Sequence, residues 1–172
     1  MQTLITLMAA GIVAIDLAIV INILVLAYAP SREKTATFGR RYGLLAIFVL
    51  STLSVVGTLY FQYGDNLNPC LLCWWQRVFM YPIPFISLIA LIKGKRLSDI
   101  ADYVLALSVI GAAIALYQHL LQILPSGALI PCDASGDCAV RSVFEFGFVT
   151  LPWMALTIFV ALALIAFIAR KD

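Results

Sequence analysis

Residues 68–96 read NPCLLCWWQRVFMYPIPFISLIALIKGKR, and the two ends of this stretch differ in character. Residues 71–92 are predominantly apolar, and about 20 such residues in a helix span the hydrocarbon core of a bilayer. Two cysteines lie at the start of the stretch, whereas three basic residues follow its end. The stretch therefore predicts a membrane-spanning helix with a Cys-x-x-Cys motif at one membrane surface and cations at the other.

Four further apolar segments are long enough to cross a bilayer, namely residues 3–29, 43–63, 103–124 and 146–169. Charged residues make up 12% of the chain, about half the share in a soluble domain, and the mean hydropathy is +1.04. Backbone groups inside lipid must hydrogen-bond within the segment, which favours helices. We predict an all-α membrane protein with five transmembrane helices, forming a single domain over residues 1–172.

The basic residues predict how the helices are oriented. Nine of the 11 lysines and arginines fall on one side of the five spans. By the positive-inside rule this side is cytoplasmic, and it includes the C-terminus. Arg77 and Arg141 fall on the opposite, extracytoplasmic side, and so do all four cysteines. No run of like charges suggests a nucleic-acid partner.

The first span resembles a signal peptide in one respect, because Ala27-Tyr28-Ala29 has the form of a cleavage site. The segment has no basic region before it, its apolar part is long, and Pro30 would follow the cut directly. We therefore expect a retained helix with its N-terminus outside.

The motif around Cys70 and Cys73 has the features of a redox centre. Asn68 is a favoured N-cap and Pro69 a favoured first helical residue, so we expect the helix to start at Pro69. Cys70 would then lie in the first turn, where free N–H groups and the helix dipole favour a thiolate. Spacings of three and four residues place Cys70, Cys73 and Arg77 on one face. Half of a zinc site and an inert structural disulfide are the alternative interpretations.

The second pair, Cys132 and Cys138, lies in a segment with no helical or strand period, rich in turn-forming residues. Disulfide exchange requires attack by a partner thiolate, so an accessible loop disulfide would suit a protein partner. A disulfide that simply staples the loop is the alternative. Four cysteines allow three pairings, and the sequence alone does not choose among them.

Several single residues also stand out. His119, the one histidine, lies near the outer end of the fourth span; it is either an interfacial side chain or a hydrogen-bond donor to a bound molecule. Asp16 lies in the first span, where we expect a protonated carboxyl bonded to a neighbouring helix. We interpret Trp74 primarily as an aromatic residue at the membrane interface, although a flat aromatic ligand could also bind against its ring. Pro82 and Pro84 should bend the third span.

These motifs together resemble those of the DsbB/BdbC family of disulfide bond formation proteins. CLLCWWQR at residues 70–77, followed by FMYP at 79–82, resembles the family's first catalytic loop. YQHLLQ at residues 117–122 resembles its third core helix, and EFGFVTLP at 145–152 resembles the start of its last helix. The resemblance covers residues 43–169 in the family's order. The helix at residues 3–29 is a departure from the family pattern, and the short second loop is closer to the BdbC type.

The resemblance implies a four-helix bundle in the bacterial inner membrane that oxidises a DsbA-like thioredoxin-fold protein and reduces ubiquinone or menaquinone. Cys70 and Cys73 would be the quinone-coupled pair, with the Cys73 thiolate, Arg77 and His119 at the quinone. Trp74 is a further candidate for contact with the ring. Cys132 and Cys138 would be the loop pair that exchanges with the partner. No metal site is implied.

Two rival classes of function remain. A vitamin-K-epoxide-reductase-like enzyme shares the chemistry on a different bundle, but the Cys70–Cys73–Arg77 spacing and the Tyr-Gln-His element favour the DsbB type. A non-enzymatic scaffold or small transporter would use the disulfides for structure alone. Quinone bound to the purified protein would distinguish an enzyme from a scaffold.

Overall fold

The structure, a computed structural model, describes residues 2–28, 32–64, 68–124, 138 and 141–170. Within these residues the regular secondary structure is helical, apart from one isolated bridge between Glu145 and Val149. Its α-helices are α1 (Gln2–Tyr28), α2 (Arg32–Tyr63), α3 (Leu71–Met80), α4 (Pro82–Ile92), α5 (Ala101–Ile123) and α6 (Leu151–Ala169). A short 3-10 helix, Leu97–Asp99, precedes α5. The predicted all-α class is confirmed.

Five segments of the described chain are long and apolar enough to span a membrane. They are Ile5–Val25, Tyr42–Tyr63, Leu71–Ile92, Ala101–Ile123 and Leu151–Ala169, close to the predicted spans. The third span consists of α3 and α4, which are separated at Tyr81. Pro82 has no N–H to donate, so the break falls where the prolines predicted a distortion.

The last helix starts five residues later than the expected start at residue 146. Glu145 and Val149 exchange backbone hydrogen bonds of 2.9 Å and close a tight turn, in which Phe146 and Gly147 have positive φ angles of 51° and 80°. A helix cannot continue through these angles. The helix begins instead after Thr150, whose hydroxyl accepts a hydrogen bond from the Trp153 N–H, so that Thr150 is its N-cap.

The core of the bundle lies where α5 packs along α6. Phe159 of α6 is fully buried, and its ring occupies the space that a side chain at Gly111 of α5 would need. A Cβ atom at position 111 would lie 2.3 Å from Phe159 Cζ. Small residues of this kind let transmembrane helices approach closely. α2 packs against α4 and α6, and α3 packs against α5, which completes the bundle around this pair.

The N-terminal helix α1 lies at the edge of the bundle against α6 and α2. Among its described side chains, Ala9 and Ile12 are buried. Asp16 bonds to α6 as expected, because its Oδ2 accepts from Trp153 Nε1 at 3.0 Å and its Oδ1 accepts from Thr157 Oγ1 at 2.6 Å. α1 is therefore attached to the bundle by a polar contact as well as by apolar packing.

Candidate functional site

The Cys-x-x-Cys motif lies at the start of α3, but the helix begins two residues later than expected. Cys70 is the N-cap, with φ −72° and ψ 175°, and the first helical hydrogen bond runs from the Trp74 N–H to the Cys70 carbonyl. Asn68 is therefore not the cap. Both cysteines are free thiols, and their sulfur atoms lie 3.3 Å apart. This separation is short enough for the pair to close a disulfide with little movement.

The two thiols are not equivalent. Cys70 Sγ donates a hydrogen bond to Cys73 Sγ. This bond raises the pKa of the Cys70 thiol, and partial burial of Cys70 raises it further. The backbone N–H groups of Leu72 and Cys73 at the helix N-terminus do lower the pKa of Cys70, as expected. The bond to Cys73 Sγ and burial outweigh them, so Cys70 is held as the thiol. Cys73 accepts this bond, so Cys73 is the sulfur whose thiolate form the geometry favours.

A buried glutamine of α5 contacts both sulfurs. Gln118 is 2% exposed, and its Nε2 lies 3.2 Å from Cys70 Sγ and 3.3 Å from Cys73 Sγ. Gln76 of α3 donates from Nε2 to Gln118 Oε1 at 2.6 Å. That bond sets the direction of the Gln118 amide, so its N–H groups point at the sulfurs. Cys73 Sγ thus receives hydrogen bonds from both Cys70 and Gln118.

Gln118 is the functional candidate that the sequence interpretation missed. The motif YQHLLQ drew attention to the ionisable His119, although Gln118 and Gln122 lie four residues apart and hence on one face of α5. A primary amide inside an apolar span is costly unless it finds a partner. Two such amides on one face were therefore an available signal of a polar site.

Arg77 and Trp74 lie one turn further along α3. Arg77 is 8% exposed; its Nη1 donates to Gln62 Oε1 and its Nη2 donates to the Thr58 carbonyl at 3.1 Å. These bonds attach α3 to α2 and hold the cation at the level of the motif. The guanidinium lies 5.1 Å from the centre of the Trp74 ring, which is half exposed on the outside of the bundle.

His119 points to a different face of α5 from Gln118, the residue that contacts the cysteines. Its Nδ1 lies 2.9 Å from Thr150 Oγ1, and its ring packs 4.9 Å from the ring of Trp153. The side chain is 4% exposed. His119 is thus enclosed at the contact of α5 with α6, and the structure does not bring it together with Cys73 and Arg77 as expected. Consecutive helical residues point about 100° apart, so the side chains of Gln118 and His119 lie on different faces of α5.

The second cysteine pair falls partly outside the described residues, because Cys132 is not among them. Cys138 is disulfide-bonded and fully buried. Its carbonyl accepts from Gln122 Nε2 at 3.4 Å, one turn beyond Gln118, and Arg141 Nε donates to the Gln122 carbonyl at 2.6 Å. The expectation of a loop sulfur open to a partner is therefore not met at Cys138.

A cavity of about 370 Å³ opens beside the Cys70–Cys73 pair. Its polar end is lined by Cys70, Cys73, Gln76, Arg77, Gln118 and Gln122. Asn68 and Ser142 also border it, and most of the remaining wall is apolar and comes from α1, α2 and α6. Trp74 does not line this cavity. It borders a shallow groove on the outside of α3, and Arg77 lines both the groove and the cavity.

Among the described residues, no group of three or more His, Cys, Asp or Glu side chains is placed to hold a metal ion. Cys138 is already in a disulfide, so it does not offer a thiolate to a zinc site with Cys70 and Cys73. The arrangement fits thiol chemistry instead.

We expect Gln118→Met to slow alkylation of Cys73 by iodoacetamide roughly tenfold at neutral pH, because one donor to the thiolate is lost. Methionine keeps the length and volume of the side chain without its amide. Gln122→Met, one turn away and without a hydrogen bond to either sulfur, is the matched control and should leave the rate unchanged. Mass spectrometry of alkylated peptides gives the rate for each cysteine. Equal rates in both variants would show that Gln118 does not act on Cys73.

Several known proteins are similar to this chain over most of its length. The family model "Disulfide bond formation protein DsbB" matches residues 40–169. The chain is 36% identical over 143 residues to "Probable disulfide formation protein C" of Bacillus cereus, covering 82% of this chain and 98% of that protein. It is 40% identical over 115 residues to "SPbeta prophage-derived disulfide bond formation protein B" of Bacillus subtilis, covering 67% and 76%.

A third relative, "Disulfide bond formation protein C" of Bacillus subtilis, is 36% identical over 118 residues, covering 68% of this chain and 84% of that protein. No solved structure matches the chain significantly. The family's name describes an oxidoreductase role in disulfide formation, and the five apolar helices fit a multi-pass membrane protein. The resemblance seen in the sequence is thereby confirmed: the chain belongs to the DsbB family of disulfide bond formation proteins.

Proposed function

We propose that this protein is a protein-dithiol:quinone oxidoreductase of the bacterial inner membrane. It reoxidises an extracytoplasmic DsbA-like thioredoxin-fold protein and transfers the electrons to ubiquinone or menaquinone in the surrounding lipid. The observation that carries the proposal is the Gln118 amide, which donates to both sulfurs of a Cys-x-x-Cys pair at the polar end of an apolar cavity. The cysteines and Arg141 face the extracytoplasmic side in this proposal, and Arg170 at the end of α6 faces the cytoplasm.

The residues at the cavity fit a quinone. A volume of about 370 Å³ lies in the range of small-molecule sites, and a quinone needs donors for its carbonyl oxygens and apolar walls for the rest. Arg77 and Gln76 are the donors that would hold the ring beside Cys73. When bound, the quinone supplies an acceptor for two electrons and two protons.

The first half of the cycle takes place at the outer loop. A thiolate of the reduced partner attacks the Cys132–Cys138 disulfide, bonds to one sulfur and displaces the other as a thiolate. The partner's second thiolate then displaces the loop cysteine, so the partner leaves with a disulfide and the loop is a dithiol. Because Cys138 is fully buried, the attack falls on Cys132 and Cys138 is the leaving group.

The second half returns the loop to its disulfide. The loop dithiol exchanges with a Cys70–Cys73 disulfide, which becomes the dithiol and thereby takes up the electron pair. Gln122 is suited to this step, since it bonds the Cys138 backbone one turn from the Gln118 contact with Cys70. Cys73, which accepts two hydrogen bonds, holds the thiolate from which the pair is reoxidised.

The direct test mixes the purified protein in detergent with a reduced thioredoxin-fold dithiol protein and a quinone. We expect one quinone to be reduced for each partner disulfide formed, followed by quinone absorbance and thiol titration. A structural scaffold would give no turnover above the rate without protein. Partner oxidation that proceeds without quinone consumption would also contradict the proposal.

We expect Arg77→Ala to raise the quinone KM roughly tenfold or more, since it removes a charged donor worth about 1.5–3 kcal/mol. The variant also leaves Gln62 and the Thr58 carbonyl without their Arg77 bonds. Arg77→Lys keeps the charge but loses the planar fork, so its KM should fall between those of Arg77→Ala and the wild type. Steady-state rates against quinone concentration measure this. An unchanged KM in Arg77→Ala would remove Arg77 from the acceptor site.

A further inference from the structure

The helix α1 lies outside the segment that the family model matches, residues 40–169, yet it forms part of the cavity. Met8, Gly11, Ile12 and Ile15 of α1 line it. Their spacing of three and four residues places them on one face of the helix. α1 is therefore a wall that this chain adds to the family's bundle.

The cavity becomes mainly apolar with distance from the cysteines, since the hydroxyls of its lining residues Ser54 and Thr58 bond to carbonyls of α2 itself. Along α2 the lining runs from Phe61 to Leu50, about 16 Å at the helical rise of 1.5 Å per residue. α1 faces this apolar part, and a Cβ atom at Gly57 of α2 would lie 3.4 Å from Met8 Cε. A Cβ atom at Gly11, in contrast, would meet nothing within 4 Å. Gly11, an exposed residue that lines the cavity, thus leaves open space beside α1 there.

The wall is held in place by Asp16. Asp16 comes directly after Ile15, the last residue of α1 that lines the cavity. Both of its carboxyl oxygens accept hydrogen bonds from α6. One donor is Trp153, whose ring packs on His119, the neighbour of Gln118 in α5. Since lipid removes most of the hydrophobic drive for helix association, polar contacts of this kind weigh heavily in where α1 lies.

We infer that α1 forms the wall against which the isoprenoid tail of the quinone packs, with Asp16 as the positioning residue that holds this wall on α6. The inference rests on the proposed function and extends it to the tail. A quinone ring needs the donors at the cysteine end, whereas a polyisoprenoid tail needs a continuous apolar channel leading away from them. The Gly11 space and the mainly apolar lining residues of α1 and α2 provide that channel.

The experiment compares two benzoquinones that share one ring. The first has a tail of two isoprene units, and the second has a methyl group in place of the tail. Equilibrium Kd values come from quenching of tryptophan fluorescence in the purified full-length protein, and KM values from turnover. We expect Gly11→Leu to weaken binding of the tailed quinone roughly tenfold, as when one or two buried methylene groups lose their contacts. Binding of the tail-less quinone should not change.

Two further variants separate positioning from general damage. Asp16→Ala should weaken binding of the tailed quinone roughly threefold to tenfold, and Asp16→Asn, which can still bond Trp153 and Thr157, should restore most of it. Ala10→Leu places the same side chain at an exposed position on the face of α1 away from the cavity, which Ala10 does not line, and it is the matched control.

The outcomes are distinct. If wild-type protein binds and reduces both quinones but Gly11→Leu affects neither, or both equally, the tail-wall inference is wrong and the proposed function stands. If Asp16→Asn binds the tailed quinone as weakly as Asp16→Ala does, Asp16 does not position α1 through its hydrogen bonds to α6. If the wild type neither binds nor reduces either quinone, the proposed function itself fails.

Discussion

Cys73→Ser should lower quinone reduction by the reduced partner by at least about three orders of magnitude, as expected when the nucleophile of a covalent mechanism is removed. Transfer of an electron pair from a dithiol requires that two sulfurs close a disulfide. Cys73 Sγ accepts hydrogen bonds from Cys70 Sγ and Gln118 Nε2, and a serine hydroxyl at this position cannot form that disulfide. Cys70→Ser should be equally inactive, because the relay needs both sulfurs.

The measurement is the rate of quinone absorbance loss with a reduced thioredoxin-fold partner. Leu71→Ser is the matched control, since it adds a serine at a half-exposed position in the same turn of α3, and it should retain most of the activity. Full turnover in either cysteine variant would show that Cys70 and Cys73 are not the pair coupled to the quinone.

The second large effect concerns the outer loop, where Cys132→Ala and Cys138→Ala should each block oxidation of the partner. The two variants should nevertheless differ in the adducts they form. Cys138 is fully buried, so a partner sulfur cannot reach it in this fold. The thiol left in the Cys138→Ala variant is Cys132, and we expect that variant to form the mixed disulfide.

The adduct can be measured without an external oxidant. A partner with one active-site cysteine is first converted to its mixed disulfide with thionitrobenzoate. The loop thiolate then displaces thionitrobenzoate and bonds to the partner sulfur, which balances the exchange. Both loop variants are made in a background lacking Cys70 and Cys73, so that the remaining loop thiol is the reactive one. The rate of adduct formation is measured by non-reducing electrophoresis and by the absorbance of the released thionitrobenzoate.

We expect adduct formation at least about tenfold faster in Cys138→Ala than in Cys132→Ala, since exchange depends on access to the attacked sulfur. A faster reaction in Cys132→Ala would reverse the order of attack. The loop disulfide is a structural staple if two results occur together. Neither variant forms an adduct in the background lacking Cys70 and Cys73, and both Cys132→Ala and Cys138→Ala still oxidise the partner when Cys70 and Cys73 are present.

The fold class could be predicted from the sequence because its signals are local. Apolar runs of bilayer length fix the number and approximate bounds of the helices, since lipid leaves the backbone little alternative. The break at Tyr81 followed from Pro82, whose ring removes a helical donor. The start of α6 was harder, because EFGFVTLP is apolar enough to extend the span, and the turn at Phe146 and Gly147 is visible only in backbone angles.

Residue identity and spacing also placed Cys70, Cys73 and Arg77 on one helical face, because that arrangement depends on a single helix. The partners of these residues depended on how other helices pack. Tertiary structure placed Gln118 against the sulfurs and turned His119 towards Thr150, although the two are adjacent in sequence. It also buried Cys138 and placed α1 along the cavity. Helical periodicity shows which side chains share a face, but the neighbour that each face meets is determined by packing between distant segments.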